Sequence, residues 1–387
     1  MPEVNPDLLT WARESAGLTL FEAAKKVQIG GARGIEPAER LAALESGAIQ
    51  PTRSQLARMA KSYRRPLIAF YLDEPPRPSE IGTDFRTLNY DVPSKQQDAL
   101  VKALVRNVIA RQGIVRSELE DDDAEEVAFV GTVSMADGRE RALRALREVL
   151  ESASDIGTAQ GEFEKLRDAA ERAGVYVLLQ GDLGSHHTAL ETTAFRGFVL
   201  SCKLAPFIVI NSSDARAAWS FTLLHEMVHL LLGHTGISGA DSESDIERFC
   251  NDVASEYLLP SSVVEAFDAS DYEFDELMDA IGGFATNWKV SRALVAYRLN
   301  RSGKISRSLY SRLAETFRQQ WKMTRAEREK GQGGPDYYAV KRHRIGSALL
   351  QMVAAGLGEG ALSTTRAALV LGVKPTQVGR VLGMQAG

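Results

Sequence analysis

The string His225-Glu226-Met227-Val228-His229, set in the apolar run from Thr222 to Gly233, constrains this chain more than any other feature. Residues four apart on a helix lie on one face, so two imidazoles at this spacing can hold a single ion between their nitrogens. Glu226 falls about 100° round the helix, within reach of a water on that ion but not in a ligand position, which suits it to proton transfer. With 6 His and 51 acids in 387 residues, such a string is expected by chance only about 0.01 times. The run therefore predicts a helix bearing a zinc-type pair, with Glu226 as the catalytic residue.

A catalytic zinc site needs a third protein ligand and an open position for water. The acids available downstream are Asp241, Glu243, Asp245, Glu247, Asp252 and Glu256. Residues 244 to 258 read as a helix whose face of Glu247, Cys250, Asn251, Ala254 and Leu258 is small and apolar apart from Glu247 and Asn251. Such a face can pack closely on the metal helix and aim one carboxylate at the ion. Glu247 is the expected third ligand, and the other acids are expected on a loop or a solvated face. Asn251, one turn on, is a candidate to hold a metal histidine by its free ring nitrogen, the contact that fixes tautomer and orientation; a surface amide is the plainer reading.

The length suggests two or three domains, and 44% apolar residues suffice for proper cores. A net charge of −5 lacks the basic signature of a dedicated nucleic-acid binder, so any such contact must be local. Cys202 and Cys250 form no CxxC pair and point to a reducing compartment. Neither a signal peptide nor a membrane-length apolar run is present, and a cytoplasmic protein with no membrane contact is expected.

Along the chain, helices are expected over residues 6–15, 19–27, 37–45 and 52–62, with Thr19 and Glu22 forming a capping box. This segment resembles a helix-turn-helix of the Cro/repressor type. Gln28 replaces the usual turn glycine, however, and Leu41 and Leu44 arrive about seven residues late. Glu36, Glu39 and Glu45 surround a single Arg40, which argues for protein docking or dimerisation ahead of DNA reading. Pro75, Pro76 and Pro78 mark a boundary. A long helix is expected next, over 95–117, ending in the acidic run 118–126, read as a solvated face or linker. Residues 139–173 are helical, and strands are expected at 175–179, 196–200 and 207–210. One strand at the sheet edge is suited to pair with an extended substrate backbone.

Beyond 261–319, largely helical, Gln332-Gly333-Gly334-Pro335 breaks the chain. Residues 322–387 carry ten Lys/Arg against four Asp/Glu. In this basic tail Ala368, Leu371, Gly372, Val373, Val378 and Val381 occupy helix-turn-helix positions, and Thr376, Gln377 and Arg380 would project toward DNA. A small structural domain with a basic surface accounts for the same pattern.

Three pieces of sequence resemble the ImmA/IrrE metallopeptidases: the strand region Phe195–Leu200 through Ala205–Asn211, the helix Phe221–His234, and Glu247–Pro260. The last is similar to the family's Glu-x-x-Ala-Asn-x-Phe-Ala-x-x-Leu-Leu-Met-Pro signature, with Cys250, Val253, Tyr257 and Leu259 departing from it. The expected fold is α+β and mostly helical: a zincin-like peptidase core with a small sheet, flanked by helical N- and C-terminal domains. The boundaries expected are 1–75 (Cro/repressor-like), 76–138 (helical connector), 139–320 (peptidase core) and 321–387 (basic helical domain). His186, His187 and Tyr257 are candidate donors to the oxyanion, and His234 reads as a helix-end cap. The resemblance implies a zinc endopeptidase that cuts a DNA-binding repressor in stress responses or mobile-element control. A different class remains open: a helix-turn-helix regulator or antitoxin whose zinc core is not catalytic.

Overall fold

The structure, a computed structural model, describes residues 4–31, 35–72, 74–75, 94–152, 162–185, 188–238, 244–269, 272–328 and 336–384. It is mostly helical with a small sheet, as expected; the sheet is mixed and has four strands, one more than the sequence indicates. It separates into two compact units, residues 1–108 with 182–194, and residues 109–181 with 195–387. This differs from the four-part division expected from the sequence.

The first unit opens with α1 (Pro6–Ser15), α2 (Leu20–Val27), α3 (Pro37–Glu45) and α4 (Arg53–Tyr63), followed by a 3-10 turn at Leu67–Tyr71. Side-chain caps define the starts: Asn5 accepts from the Asp7 amide, and Thr19 with Glu22 and Thr52 with Gln55 form capping boxes. Leu41 and Leu44 are buried beside Ala24, Val27 and Ile29, so their late arrival does not remove them from the core. Glu45 is spent internally, meeting Arg13 Nε at 2.8 Å. Gln97, in α5 (Lys95–Asp121), bonds Ala189 O and the Glu191 amide at 3.1 Å each, tying 182–194 to this unit.

The second unit is built on the sheet order β1-β3-β2-β4, from β1 (Tyr176–Leu179), β2 (Gly197–Leu200), β3 (Phe207–Ile210) and β4 (Gly236–Ser238). β1 runs parallel to β3, while β2 is antiparallel to both β3 and β4. The first three strands are continuous apolar runs and buried throughout, the pattern of a sheet covered on both faces. The main core joins them to α6 (Arg139–Ser152), α7 (Glu162–Arg172), α8 (Arg216–Leu231) and α9 (Asp245–Leu258). A satellite core lies among α10 (Ser261–Glu265), α11 (Phe274–Asn287), α12 (Arg292–Arg301) and α13 (Arg307–Arg328).

The basic tail is part of this unit. It forms α14 (Tyr337–Ile345), α15 (Ser347–Gly358), α16 (Thr364–Leu371) and α17 (Val378–Leu382), and it is fastened to α7. Arg167 donates to His343 O and to Val177 O of β1, both at 2.5 Å, while Glu171 accepts from the Ser347 and Ala348 amides at the start of α15. Glu118, expected in a solvated run, is buried and meets Arg366 at 2.9 Å. Asp252 corrects another expectation of solvation: it is buried and holds Arg139 at 2.7 Å, Arg301 Nε at 2.7 Å and the Tyr297 hydroxyl at 2.8 Å. Among the described residues no helix is long and apolar enough to cross a membrane.

Gln28 ends α2 with a left-handed φ of 56°, which strains a non-glycine residue by about 1–2 kcal/mol. Glycine there would relieve the strain but enlarge the unfolded-state entropy, leaving a gain of about 0.5–1 kcal/mol. Gln28→Gly should therefore raise the thermal midpoint of the first unit by a few degrees, and a lowered midpoint would show that the glutamine side chain itself holds the turn.

Candidate metal centre

α8 is buried around almost its whole circumference from Trp219 to Leu231, which makes it the central helix of the second unit. Its apolar residues fix the register in which His225 and His229 face α9, with their Nε2 atoms 3.1 Å apart. Glu247 stands in the first turn of α9, where the helix dipole favours a carboxylate and where the Ser244 hydroxyl accepts from its amide at 3.3 Å. Its two oxygens reach one imidazole each: Oε2 lies 3.1 Å from His225 Nε2, and Oε1 lies 3.1 Å from His229 Nε2.

These three buried groups bring four lone-pair atoms to one point. Two nitrogen or oxygen ligands on a tetrahedral zinc would be about 3.3 Å apart, so the spacing fits a cation of that size. The electrostatics agree. Burial pushes the Glu247 carboxyl up, but the facing imidazoles more than offset it and hold it well below the usual carboxylate range. Burial pulls His225 down, but Glu247, then Glu226 and Asn251, raise it overall; at His229 burial wins and lowers it.

Glu226 is fully buried beside this trio. A Cβ on Gly197, the first residue of β2, would lie 2.6 Å from Glu226 Oε1 and 2.7 Å from Thr222 Cγ2, so glycine is what lets the carboxylate sit there. Sequence reasoning gave Gly197 no role of its own; the available signal was a glycine opening an otherwise apolar strand. Asn251 is half-buried near His225, but the ring nitrogens turned away from the pair, His225 Nδ1 and His229 Nδ1, have no hydrogen-bond partner, so the contact expected of Asn251 with a free ring nitrogen is not made. Cys250 Sγ falls with the two histidines inside 4.8 Å, and burial, then Glu247 and Glu226, push its thiol well up. Glu247 lies 3.1 Å from each of the two nitrogens.

Other candidate residues are not brought to this point. Tyr257 lies ten residues beyond Glu247, roughly 15 Å along the helix, and its charged neighbours are Glu151, Glu162 and Arg147. His186, His187, Asp241 and Glu243 lie outside the described residues. His234 is exposed, and its amide closes the end of α8 on His229 O at 2.9 Å. In the tail, Thr376 and Arg380 are exposed, while the Gln377 side chain is occupied in accepting from the Lys374 amide at 3.1 Å.

A metal helix packed on a small mixed sheet, with a carboxylate supplied by the next helix, defines a metallopeptidase-type centre. Residues 170–300, which include every residue of the centre, match the family model for the IrrE N-terminal-like domain, peptidase family M78, and this segment belongs to that family. No curated protein matches the chain.

Metal analysis of purified variants tests the ligand set. His225→Ala, His229→Ala and Glu247→Ala should each lower metal affinity by at least about 100-fold, whereas Cys250→Ala should change it by less than about tenfold. A Cys250 effect as large as that of Glu247 would make sulfur a principal ligand.

Proposed function

We propose that the chain is a zinc-dependent endopeptidase that cuts a specific protein substrate, a DNA-binding repressor, in stress-response or mobile-element regulation. The observation that carries this reading is the meeting of His225, His229 and Glu247 beside the buried Glu226. Held by those three residues, zinc would supply Lewis acidity for peptide hydrolysis at neutral pH. Glu226 then takes the proton of the attacking water and returns it to the leaving amine. Gly197 keeps space for the Glu226 carboxylate.

Substrate backbone has one suitable sheet edge. At the β1 edge, Val177 O is already taken by Arg167. β4 pairs with β2 on one side only, next to the strand that begins at Gly197, so an extended segment is read as adding there.

A second reading, a DNA-binding regulator with a non-catalytic metal core, draws on the tail. Ala368, Leu371, Val378 and Val381 are buried there, Gly372 turns with a left-handed φ of 62°, and Thr376 and Arg380 face solvent. Gel shifts at moderate salt test it, and an absence of binding removes it.

Incubation of the zinc-loaded chain with the product of the adjoining gene should yield one discrete cut. Glu226→Gln should keep the metal and slow cleavage by about 10²–10⁴-fold. Gly197→Ala, which crowds the same carboxylate, should also keep the metal and lose most of the activity. Undiminished cleavage by Glu226→Gln would remove the proposed mechanism.

A further inference from the structure

The turn before α11 and the outer side of α11 carry a surface, rooted in the satellite core, that the metal centre does not use. Four rings form an unbroken row: Tyr272 is 6.4 Å from Phe267, Phe267 meets Phe284 edge-on at 5.2 Å, and Phe284 is 6.4 Å from Trp288. Phe267 anchors the row in the satellite core, but its ends are open, with Tyr272 47% and Trp288 45% exposed. Exposed aromatic rings in a row are unusual on a surface without a partner.

α11 also keeps Gly283 near its middle, where an added Cβ would meet nothing within 4 Å. Glycine weakens a helix interior, and no packing within the described residues requires it here. What it permits is close approach from outside. Ala280, Gly283 and Phe284 are neighbours at helical spacing, so the small residues form a floor beside the rings.

Charge identifies what approaches. No lysine or arginine occurs between Arg248 and Lys289. Asp252 and Glu256 in that stretch are engaged by arginines, while Glu265, Asp268, Glu273, Asp275, Glu276 and Asp279 are exposed. Arg292 and Arg312 border this face beside Gly282 and Phe274, but the stretch itself carries only acidic charge, which disfavours phosphate backbones and anionic lipid. It attracts lysine and arginine side chains, which also stack on exposed aromatic rings. α11 already makes such a contact internally, with the Arg312 guanidinium carbon 3.8 Å from the Phe274 ring centroid.

We propose that the aromatic face of α11 is a docking site for a basic, lysine- and arginine-rich helical segment of a partner protein. The partner's helix lies over Ala280 and Gly283, its cations reaching Tyr272, Trp288 and the surrounding carboxylates. The site requires neither metal nor Glu226, so it stands apart from the peptidase reading.

The probe is a fluorescent amphipathic peptide of roughly 20 residues, rich in Lys, Arg and Leu, titrated into the full Glu226→Gln chain with and without zinc. The peptide should bind equally in both conditions, and more weakly as salt rises. Joint replacement of Glu265, Asp275 and Asp279 by lysine should weaken it by at least about tenfold. Trp288→Ala should weaken it by at least about fivefold. Gly283→Leu, which favours the helix but fills the floor, should do the same. Replacing Asp121, Asp122 and Glu125 by lysine, in the acidic run at the end of α5, should change affinity by less than about twofold. No binding by the unsubstituted chain, an equal loss in the α5 variant, or indifference to both Trp288→Ala and Gly283→Leu would overturn the proposal.

Discussion

A carboxylate held between two buried imidazoles is the interaction on which the second unit depends. Bringing Glu247, His225 and His229 together out of water removes hydration that only their mutual contacts, or a shared cation, can replace. The surroundings therefore have to be rigid. α8 is rigid because it is packed on nearly every side. α9 is held from two directions: Cys250 and Ala254 pack in the main core, while Asp252 is gripped by Arg139, Arg301 and Tyr297 from elements on either side of it in sequence. An error of one residue in the α9 register would swing Glu247 away from the histidines by about 100°.

What could be read from the sequence was mostly what a few consecutive residues decide. The spacing of His225 and His229, the capping box at Thr19 and the apolar runs of the first three strands are local patterns, and the first four helices and these strands fall within a residue of where they were expected, while the long helix runs on to Asp121 and the metal helix starts early, at Arg216. β4 went unread because Gly236, Ile237 and Ser238 are too few to carry a period. Asp252 was placed among solvated acids because its partners lie at residues 139, 297 and 301. The basic tail looked independent because the Gln332–Pro335 break suggests a linker. A break in composition does not say whether the segment beyond it docks back, and Arg167 and Glu171, which do the docking, read on the sequence as ordinary helix charges.

Two helix ends, one in each unit, differ in residue far more than in backbone geometry. Gln28 and Gly372 each end a helix with nearly the same left-handed φ, 56° and 62°. At position 28 a glutamine takes the left-handed conformation that glycine usually supplies, its strain offset by the burial of Val27 and Ile29 against Leu41 and Leu44. Backbone geometry there is imposed by the core, and residue preference only sets how much it costs.

The tail also bears on how the sheet meets its surroundings. An open strand edge presents unpaired amides and carbonyls to any extended chain, and a parallel edge such as β1 is normally covered. Here the cover comes from a guanidinium on Val177 O and from α14 against the strand, with Gly346 so close that a Cβ would fall 2.9 Å from that same oxygen. Closing β1 in this way removes a competing place for a chain to add. Of the sheet's two edges, β4 is then the one with no strand on its outer side among the described residues, and it is also the edge next to the strand that shapes the position of Glu226.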